Sequence, residues 1–393
     1  MNILIVSPIS IFPNTRGSTN RILSLARSLN KAKVNVFVLH AGSSIVTKDK
    51  ITFFGYMSFG KLFKKSNMVS RFLDRTFCTF NIFMIVRLIT LVQQINPDII
   101  QFEFPTTIAN PFIALLNIPK VLKILDEHNV ESLTAKSSSS VPLLFPYKLA
   151  IERKAVKNAD LILSVSNSDK KNLCYLYGLH DSRIVVIPNG VNMDEFQKYS
   201  KINARKKLGF TESEKVILFH GQMAWKPNRE AVKLIMTYIL PKVYSKYPNV
   251  MFLIIGEYSE ILEKQYFNNT KNVHFLGFVK NLANYIAASD VCIVPLVRGG
   301  GTSLKILEYM AAGKPIVSTK IGVRGFKIRE GKHAIIKDDI QKEFPNAIIK
   351  LLESPINMEL LGNHARDLAL IYDWKNIGKK LVEIYFLKTS YIN

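Results

Sequence analysis

Lys305 and Glu308 stand about one helical turn apart, just downstream of three consecutive glycines, Gly299, Gly300 and Gly301. The surrounding stretch, DVCIVPLVRGGGTSLKILEYMAAGKPIVST, reads as a buried strand (291–296), a glycine loop, a helix ending near Ala312 and a second buried strand (316–318). Gly313 occupies the position where a left-handed residue stops a helix, and Pro315 prevents its continuation. Glycines before a helix leave backbone N–H groups uncovered, and the positive helix end favours an anion there. An ammonium in that first turn, Lys305, belongs only beside something negative. Glu308 falls on the same face. A phosphate cradle, a cation and a carboxylate able to take a ribose diol together describe a nucleotide-diphosphate site. On a plain surface helix the same Lys–Glu pair would contribute only ~0.2–0.5 kcal/mol, and the glycines would be a turn. The whole segment carries the reading, not the pair.

A second group of reactive residues, Asp126-Glu127-His128-Asn129-Val130-Glu131-Ser132, directly follows an apolar strand (121–125). In open α/β sheets, ligands bind beyond the carboxyl ends of the strands. His128 is the first candidate for chemistry there, with Asp126 orienting it or capping the next helix, and Glu127 read as a solvated side chain. The stretch HGQMAWKPN (220–228) lies between a strand and a helix, with Lys226 available to an anion and Asn228 as the helix cap. Arg16 and Gly17 sit in the loop after the first strand, where the glycine serves equally as a turn or as a point of close backbone approach. Phe278, after the strand 273–276, suits either packing on a base or the core. No D-x-D pair and no metal-type spacing of His, Cys or Asp is present, so no metal is expected.

The elements that must hold these residues follow from periodicity. A buried strand (3–6), a loop (7–18), a helix with Ile22, Leu25, Ala26 and Leu29 on one face and a strand (34–39) make a βαβ unit, hence a parallel sheet. The loop lacks G-x-G-x-x-G, which disfavours a dinucleotide oxidoreductase. Further strands are expected at 98–102, 121–125 and 161–165. After the turn-rich IPNGVN (187–192) the pattern restarts, with strands at 216–219, 251–255, 273–276 and 291–294 and a helix at 228–240 bearing Ala231, Ile235 and Ile239. Two doubly wound α/β halves of similar size result. The segment 51–94 fits neither period.

These motifs resemble glycosyltransferase family 4, the group 1 transferases, in a branch whose loop reads G-x-G-T-x-x-K-x-x-E. Besides that loop, the resemblance rests on Pro188-Asn189-Gly190-Val191, on D-x-H-N-x-E-S at 126–132 and on Tyr372-Asp373-Trp374 before a final helix (375–387). It implies a GT-B fold: two Rossmann-like domains with a cleft between them, residues 1–190 and 191–374, and a C-terminal helix (375–393) returning to the first. It also implies that the loop and helix hold a donor diphosphate, that Glu308 holds the ribose, that His128 reaches the transferring sugar and that Gly17 lets the backbone approach the phosphates. Two positions depart from the family. Gly301 stands where many members have glutamate, and Gln222 fills the usual arginine slot, with Lys226 one residue early. Diphosphate charge then falls to Lys305, Arg298, Lys226 and the loop Gly299–Gly300–Gly301–Thr302. The implied activity is retaining, metal-independent and cofactor-free transfer of a sugar from a UDP- or GDP-sugar to a hydroxyl of a glycan or a polyprenyl-linked or glycolipid acceptor. A nucleotide-sugar epimerase of the same fold, or a non-catalytic donor-binding subunit, stays open as an alternative.

The chain's 393 residues suit two domains, and its formal net charge of +23 implies a polyanionic partner. Nucleic acid is the weakest candidate, since no recognition motif is present. Lys61, Lys64, Lys65, Arg71 and Arg75 alternate with Phe59, Phe63, Phe72 and Phe77, a mixture that suits anionic lipid, or else a solvated basic helix with its aromatics in the core. The longest apolar run, 77–92, contains Asn81 and Arg87 and falls short of the ~20 residues of a spanning helix. Residues 1–6 read as a first strand rather than a signal segment. Cys78, Cys174 and Cys292 read as small hydrophobes in a reducing compartment. A cytoplasmic enzyme, peripheral on the inner membrane face, is the expectation.

Overall fold

A computed structural model describes residues 1–12, 17–42, 45–57, 81–110, 121–138, 144–259 and 272–390. The chain forms two compact units, Met1–Asn189 with Trp374–Asn393, and Gly190–Asp373. Each is a doubly wound sheet with helices on both faces.

The first unit carries β1 (Asn2–Val6), β2 (Asn35–Ala41), β3 (Ile45–Lys48), β4 (Ile51–Tyr56), β5 (Ile99–Glu103), β6 (Leu122–Glu127), β7 (Leu161–Ser164) and β8 (Ile184–Val186). Their order is β3-β4-β2-β1-β5-β6-β7-β8, parallel throughout except for the exposed edge strand β3. Runs such as Ile3-Leu4-Ile5-Val6 are buried on both faces, as a parallel sheet covered by helices requires. The helix Gly17–Lys31 lays Ile22, Leu25, Ala26 and Leu29 on one face, joined there by Trp374, Ile377, Leu381 and Tyr385 of the closing helix Trp374–Ser390. The helix Ile82–Ile95 covers the other face with Met84, Leu88 and Leu91. Each fully buried Leu or Ile contributes about 1.5–3 kcal/mol.

The second unit carries β9 (Val216–His220), β10 (Met251–Ile255), β11 (Val273–Phe275), β12 (Val291–Val294), β13 (Ile316–Ser318) and β14 (Ile335–Ile336), in the order β11-β10-β9-β12-β13-β14 and all parallel. In both sheets the order reverses beside the first strand, between β1 and β5 and between β9 and β12. Crevices at the carboxyl ends of such strands are where this architecture accepts ligands.

Several expectations need correction. Gly17 begins a helix rather than lying in a loop. Residues 51–94 contain β4 and the helix Ile82–Ile95, entered through Asn81, whose side chain accepts the Met84 N–H, and left through Asn96 in the left-handed region. The basic–aromatic stretch between them lies outside the described residues. The helix expected at 228–240 is Lys226–Leu234, then a wide π turn over Ile235–Ile239, then Leu240–Lys246. Pro241 has no N–H to offer the preceding turn, and the wider turn absorbs the lost bond. The short strands β3, β8 and β14 were missed because two to four residues show no period.

Candidate functional site

In the second unit the site is built where β9 and β12 end. The helix Leu304–Ala311 follows the glycine loop, and its N-cap Ser303 makes no side-chain capping bond, so its first N–H groups face whatever occupies the loop. At the far end Gly313 adopts φ 63°, and Lys314 donates its N–H back to Tyr309 O, 3.0 Å away. This is the helix stop read from the sequence.

Lys305 is buried. Its Nζ donates to Asn228 Oδ1 at 2.8 Å and lies 4.3 Å above the Phe219 ring. Burial pushes its pKa down to about 7, with Glu308 opposing the shift; in the free protein it is a cation held close to its titration point. Asn228, expected as the cap of its helix, is instead a buried residue inside the first turn. Its amide receives Lys305 on one side and donates to Gln222 O at 2.9 Å on the other. Trp225 holds the N-cap position. This berth depends on two missing side chains. A Cβ on Gly221 would stand 2.9 Å from Lys305 Nζ, and one on Gly256 would stand 2.0 Å from Gly221 O.

Glu308 is about a quarter exposed, with Oε2 2.9 Å from His220 Nε2. The two atoms make no hydrogen bond with one another, which leaves carboxylate lone pairs to receive hydroxyls. His220 is fixed from behind: its N–H donates to Tyr309 Oη at 3.1 Å and its ring meets Tyr309 edge-on, 5.1 Å between centroids. Burial first, and then the charge of Glu308, raise the pKa of Glu195, from the short helix Met193–Gln197.

The loop itself is tied from a direction the sequence did not suggest. The Arg324 guanidinium donates to Gly299 O at 3.1 Å and to Gly301 O at 2.9 Å, which ties both carbonyls to one side chain. One basic residue among several after β13 carries no sequence signal for that role. Gly300 and Thr302 lie in the same partly buried loop. Arg298 is half-exposed, its Nε 2.8 Å from Glu230 Oε2, so a carboxylate already holds it. Lys226 is the exposed first residue of its helix. Gln222, in the arginine slot, donates to Glu257 Oε2 at 3.2 Å. Phe278 is exposed beyond β11.

In the first unit the chemistry gathers where β5 and β6 end. The His128 ring stacks on Phe104, 4.1 Å between centroids. Its Nε2 lies 2.6 Å from Oε2 of Glu103 and 3.9 Å from Asp126. Glu103, not Asp126, therefore orients His128. Both Asp126 oxygens are gripped by Arg21, Nε at 2.9 Å and Nη2 at 2.7 Å. Arg21 also donates to Pro188 O and Asn189 Oδ1, which explains part of the PNGV turn. Burial, then Asp126, raises the pKa of Glu103, while His128 and Arg21 pull it back. Arg21 and Glu103 escaped the sequence reading, although an arginine within a helix's apolar stripe and a glutamate ending a buried strand are the signals that find them.

Glu127 is fully buried rather than solvated. Desolvation, then the neighbouring Glu152 carboxylate, pushes its pKa well above the ordinary range, because two adjacent buried carboxyls cannot both ionise. Glu152 accepts from the Glu131 N–H at 2.6 Å, from Ser132 Oγ at 2.6 Å and from the Tyr177 hydroxyl. This closed set anchors the loop that carries His128.

Among the described residues, Glu103, Asp126 and His128 place ligand-type atoms within 4.8 Å of one another. Arg21 already engages both Asp126 oxygens, and His128 Nε2 faces Glu103, so protein partners satisfy the cluster. Gly17 is the exposed first residue of the helix that carries Arg21, and Arg16 lies outside the described residues.

Two family models match the chain, Glycosyltransferase Family 4 over residues 15–195 and Glycosyl transferases group 1 over residues 214–354. An uncharacterized glycosyltransferase of Methanocaldococcus jannaschii is 28% identical over 257 residues, 60% of this chain and 62% of the relative. A GDP-mannose-dependent monoacylated alpha-(1-6)-phosphatidylinositol monomannoside mannosyltransferase of Corynebacterium glutamicum is 24% identical, over 59% of this chain and 63% of the relative. The matches thus span less than two thirds of either relative. Among solved structures, sucrose-phosphate synthase from Thermosynechococcus elongatus superposes over 100% of both chains with TM-score 0.82 at 17% identity. Anabaena HepE in complex with UDP-glucose does so over 98% of this chain and 99% of that one, TM-score 0.73 at 16% identity. At these identities the likeness is one of fold, and the fold is GT-B.

Proposed function

Because the chain belongs to glycosyltransferase family 4, the group 1 glycosyltransferases, we propose that it transfers a sugar from a UDP- or GDP-sugar to a hydroxyl of a glycan or lipid-linked glycan, with retention and without a metal. The observation that carries this reading is Lys305: a buried amine in the first turn of an uncapped helix, behind a glycine loop, with Glu308 one turn further on. In this reading the loop N–H groups and Lys305 hold the diphosphate, and Glu308 takes the ribose diol. The acceptor oxygen bonds to the anomeric carbon as the bond to the phosphate oxygen breaks. The electron pair leaves with the diphosphate, and the acceptor's proton passes to a phosphate oxygen on the same face. Fixed N–H groups and a cation stabilise the leaving charge without reorganising. The transition state has oxocarbenium character, as in glycosidases, and His128 is assigned to the sugar side.

For the acceptor, the mannosyltransferase relative acts, by its name, on a phosphatidylinositol glycolipid, and this chain carries +23 charges. The helix Ile82–Ile95, which follows the basic–aromatic segment, leaves Ile82, Phe83, Val86 and Ile89 exposed. No helix among the described residues is long and apolar enough to cross a membrane. A lipid-linked acceptor met at an anionic surface fits these features.

One experiment tests the reading. A thermal-shift panel of UDP-, GDP- and ADP-sugars selects the donor, since a ligand bound only by the folded state raises apparent stability. Transfer from that donor to a polyprenyl-linked acceptor is then followed in anionic and neutral liposomes with excess EDTA. Expected are turnover in EDTA and faster transfer on anionic liposomes, with that advantage lost at high salt. Turnover abolished by EDTA and restored by manganese would overturn the metal-independent reading, and equal rates on neutral liposomes would overturn the surface.

A further inference from the structure

From the buried hydrogen bonds behind His128 we infer that Glu103, Gln101 and Tyr385 form a positioning relay, through which the closing helix sets the orientation and tautomer of the histidine. The inference rests on the role proposed for His128. Tyr385 Oη donates to Gln101 Oε1 at 2.5 Å, Gln101 Nε2 donates to Glu103 Oε1 at 2.6 Å, and Glu103 Oε2 meets His128 Nε2 at 2.6 Å. Tyr385, Gln101 and Glu103 are all fully buried. Gln101 and Glu103 alternate on one face of β5, so both point to the same side, where Tyr385 arrives from a helix more than 280 residues later in sequence.

Two consequences follow from this geometry. With both Glu103 oxygens engaged, one by Gln101 and one by His128, the carboxylate cannot rotate, and the imidazole is held as the tautomer carrying its proton on Nε2. The second consequence is electrostatic. The groups facing His128 are Glu103, Asp126 and, through Asp126, Arg21. Arg21 balances Asp126, so with a neutral imidazole the set retains the single negative charge of Glu103. A buried negative charge conducted to a reacting sugar through a fixed ring stabilises positive charge as it develops, and does little for a neutral ground state. The relay should therefore act on turnover and not on donor affinity. It also gives the closing helix a function in addition to packing.

Glu103→Gln keeps the shape and removes the charge. Tyr385→Phe removes one hydroxyl three hydrogen bonds from the His128 ring. In the full-length protein, Glu103→Gln is expected to lower kcat by ten- to a hundredfold and Tyr385→Phe by a few-fold, each with the nucleotide-diphosphate Kd unchanged. Both effects should vanish in a His128→Ala background. Nitrogen-15 NMR of the histidine ring should report the Nε2–H tautomer in the wild type and a mixture in Glu103→Gln. Should Glu103→Gln fail to fold, Tyr385→Phe and the wild-type tautomer decide alone. Wild-type kcat in both variants, with His128→Ala inactive, would overturn the relay while leaving the role of His128 standing. Full activity of His128→Ala would overturn that role and the relay with it.

Discussion

Replacing His128 by alanine is expected to lower turnover by on the order of a hundredfold to a thousandfold, the range for one preorganised electrostatic group, while nucleotide-diphosphate affinity stays within about twofold. The reason is where the ring is held. It is stacked on Phe104, bonded to Glu103 and anchored in the first unit, whereas the groups assigned to the diphosphate and ribose belong to the second. An interaction made only in the transition state appears in kcat and kcat/KM alike. Steady-state kinetics with the selected donor, paired with calorimetry of the free nucleotide diphosphate, separates the cases. Weakened nucleotide binding with unchanged turnover would reverse the assignment.

Lys305 should make donor binding depend on pH. In the free protein its pKa lies near 7, lowered by burial, and a diphosphate against it favours the charged form. Bound Lys305 thus has the higher pKa, and binding takes up a proton at any pH between the two values. Affinity is therefore greatest below pH 7. It falls by about tenfold for each pH unit above 7, until the bound-state pKa is passed. The diphosphate diester of a nucleotide sugar does not ionise near pH 7, so the slope there belongs to the protein. Lys305→Met should weaken the donor by roughly 1.5–3 kcal/mol below pH 7, as for a lost charge-assisted hydrogen bond, and flatten the dependence. Calorimetry in buffers of different ionisation enthalpy reads the proton directly. A flat affinity from pH 6 to 9 with buffer-independent heats would contradict the assignment.

The sequence made the second unit's site legible because its parts are contiguous: strand, glycines, Lys305, Glu308, Gly313 and Pro315 follow one another along the chain, and local rules apply to each. The parallel pairing within each sheet followed from the βαβ pattern, and the strand order did not. What escaped was assembled from distant positions. Arg324 reaches Gly299 and Gly301 from the loop after β13, and Asn228 meets Lys305 across 77 positions. Arg21 reaches Asp126 across 105, and no periodicity announces a pairing of that kind. Asp126 was given a histidine partner because it is two residues from one. His128, however, lies beyond the end of β6 with its Nε2 3.9 Å from Asp126, and the stronger cation, Arg21, claimed the carboxylate. Glu127 was read as solvated because charged side chains usually are; burial first, and then its neighbour Glu152 from a separate helix, push its pKa well above the ordinary range.

The most direct test of the central claim, a nucleotide-sugar site built on Lys305 and Glu308, is a calorimetric cycle between Glu308 and the ribose. The wild type and Glu308→Gln are each titrated with the selected nucleotide diphosphate and with its 2′-deoxy and 3′-deoxy forms. If the carboxylate holds the diol, Glu308→Gln and the deoxy ligands each lose about 1.5–3 kcal/mol, and combining them costs little beyond the larger single loss. Unchanged affinity in Glu308→Gln, or losses that simply add, would place the ribose elsewhere and contradict the account.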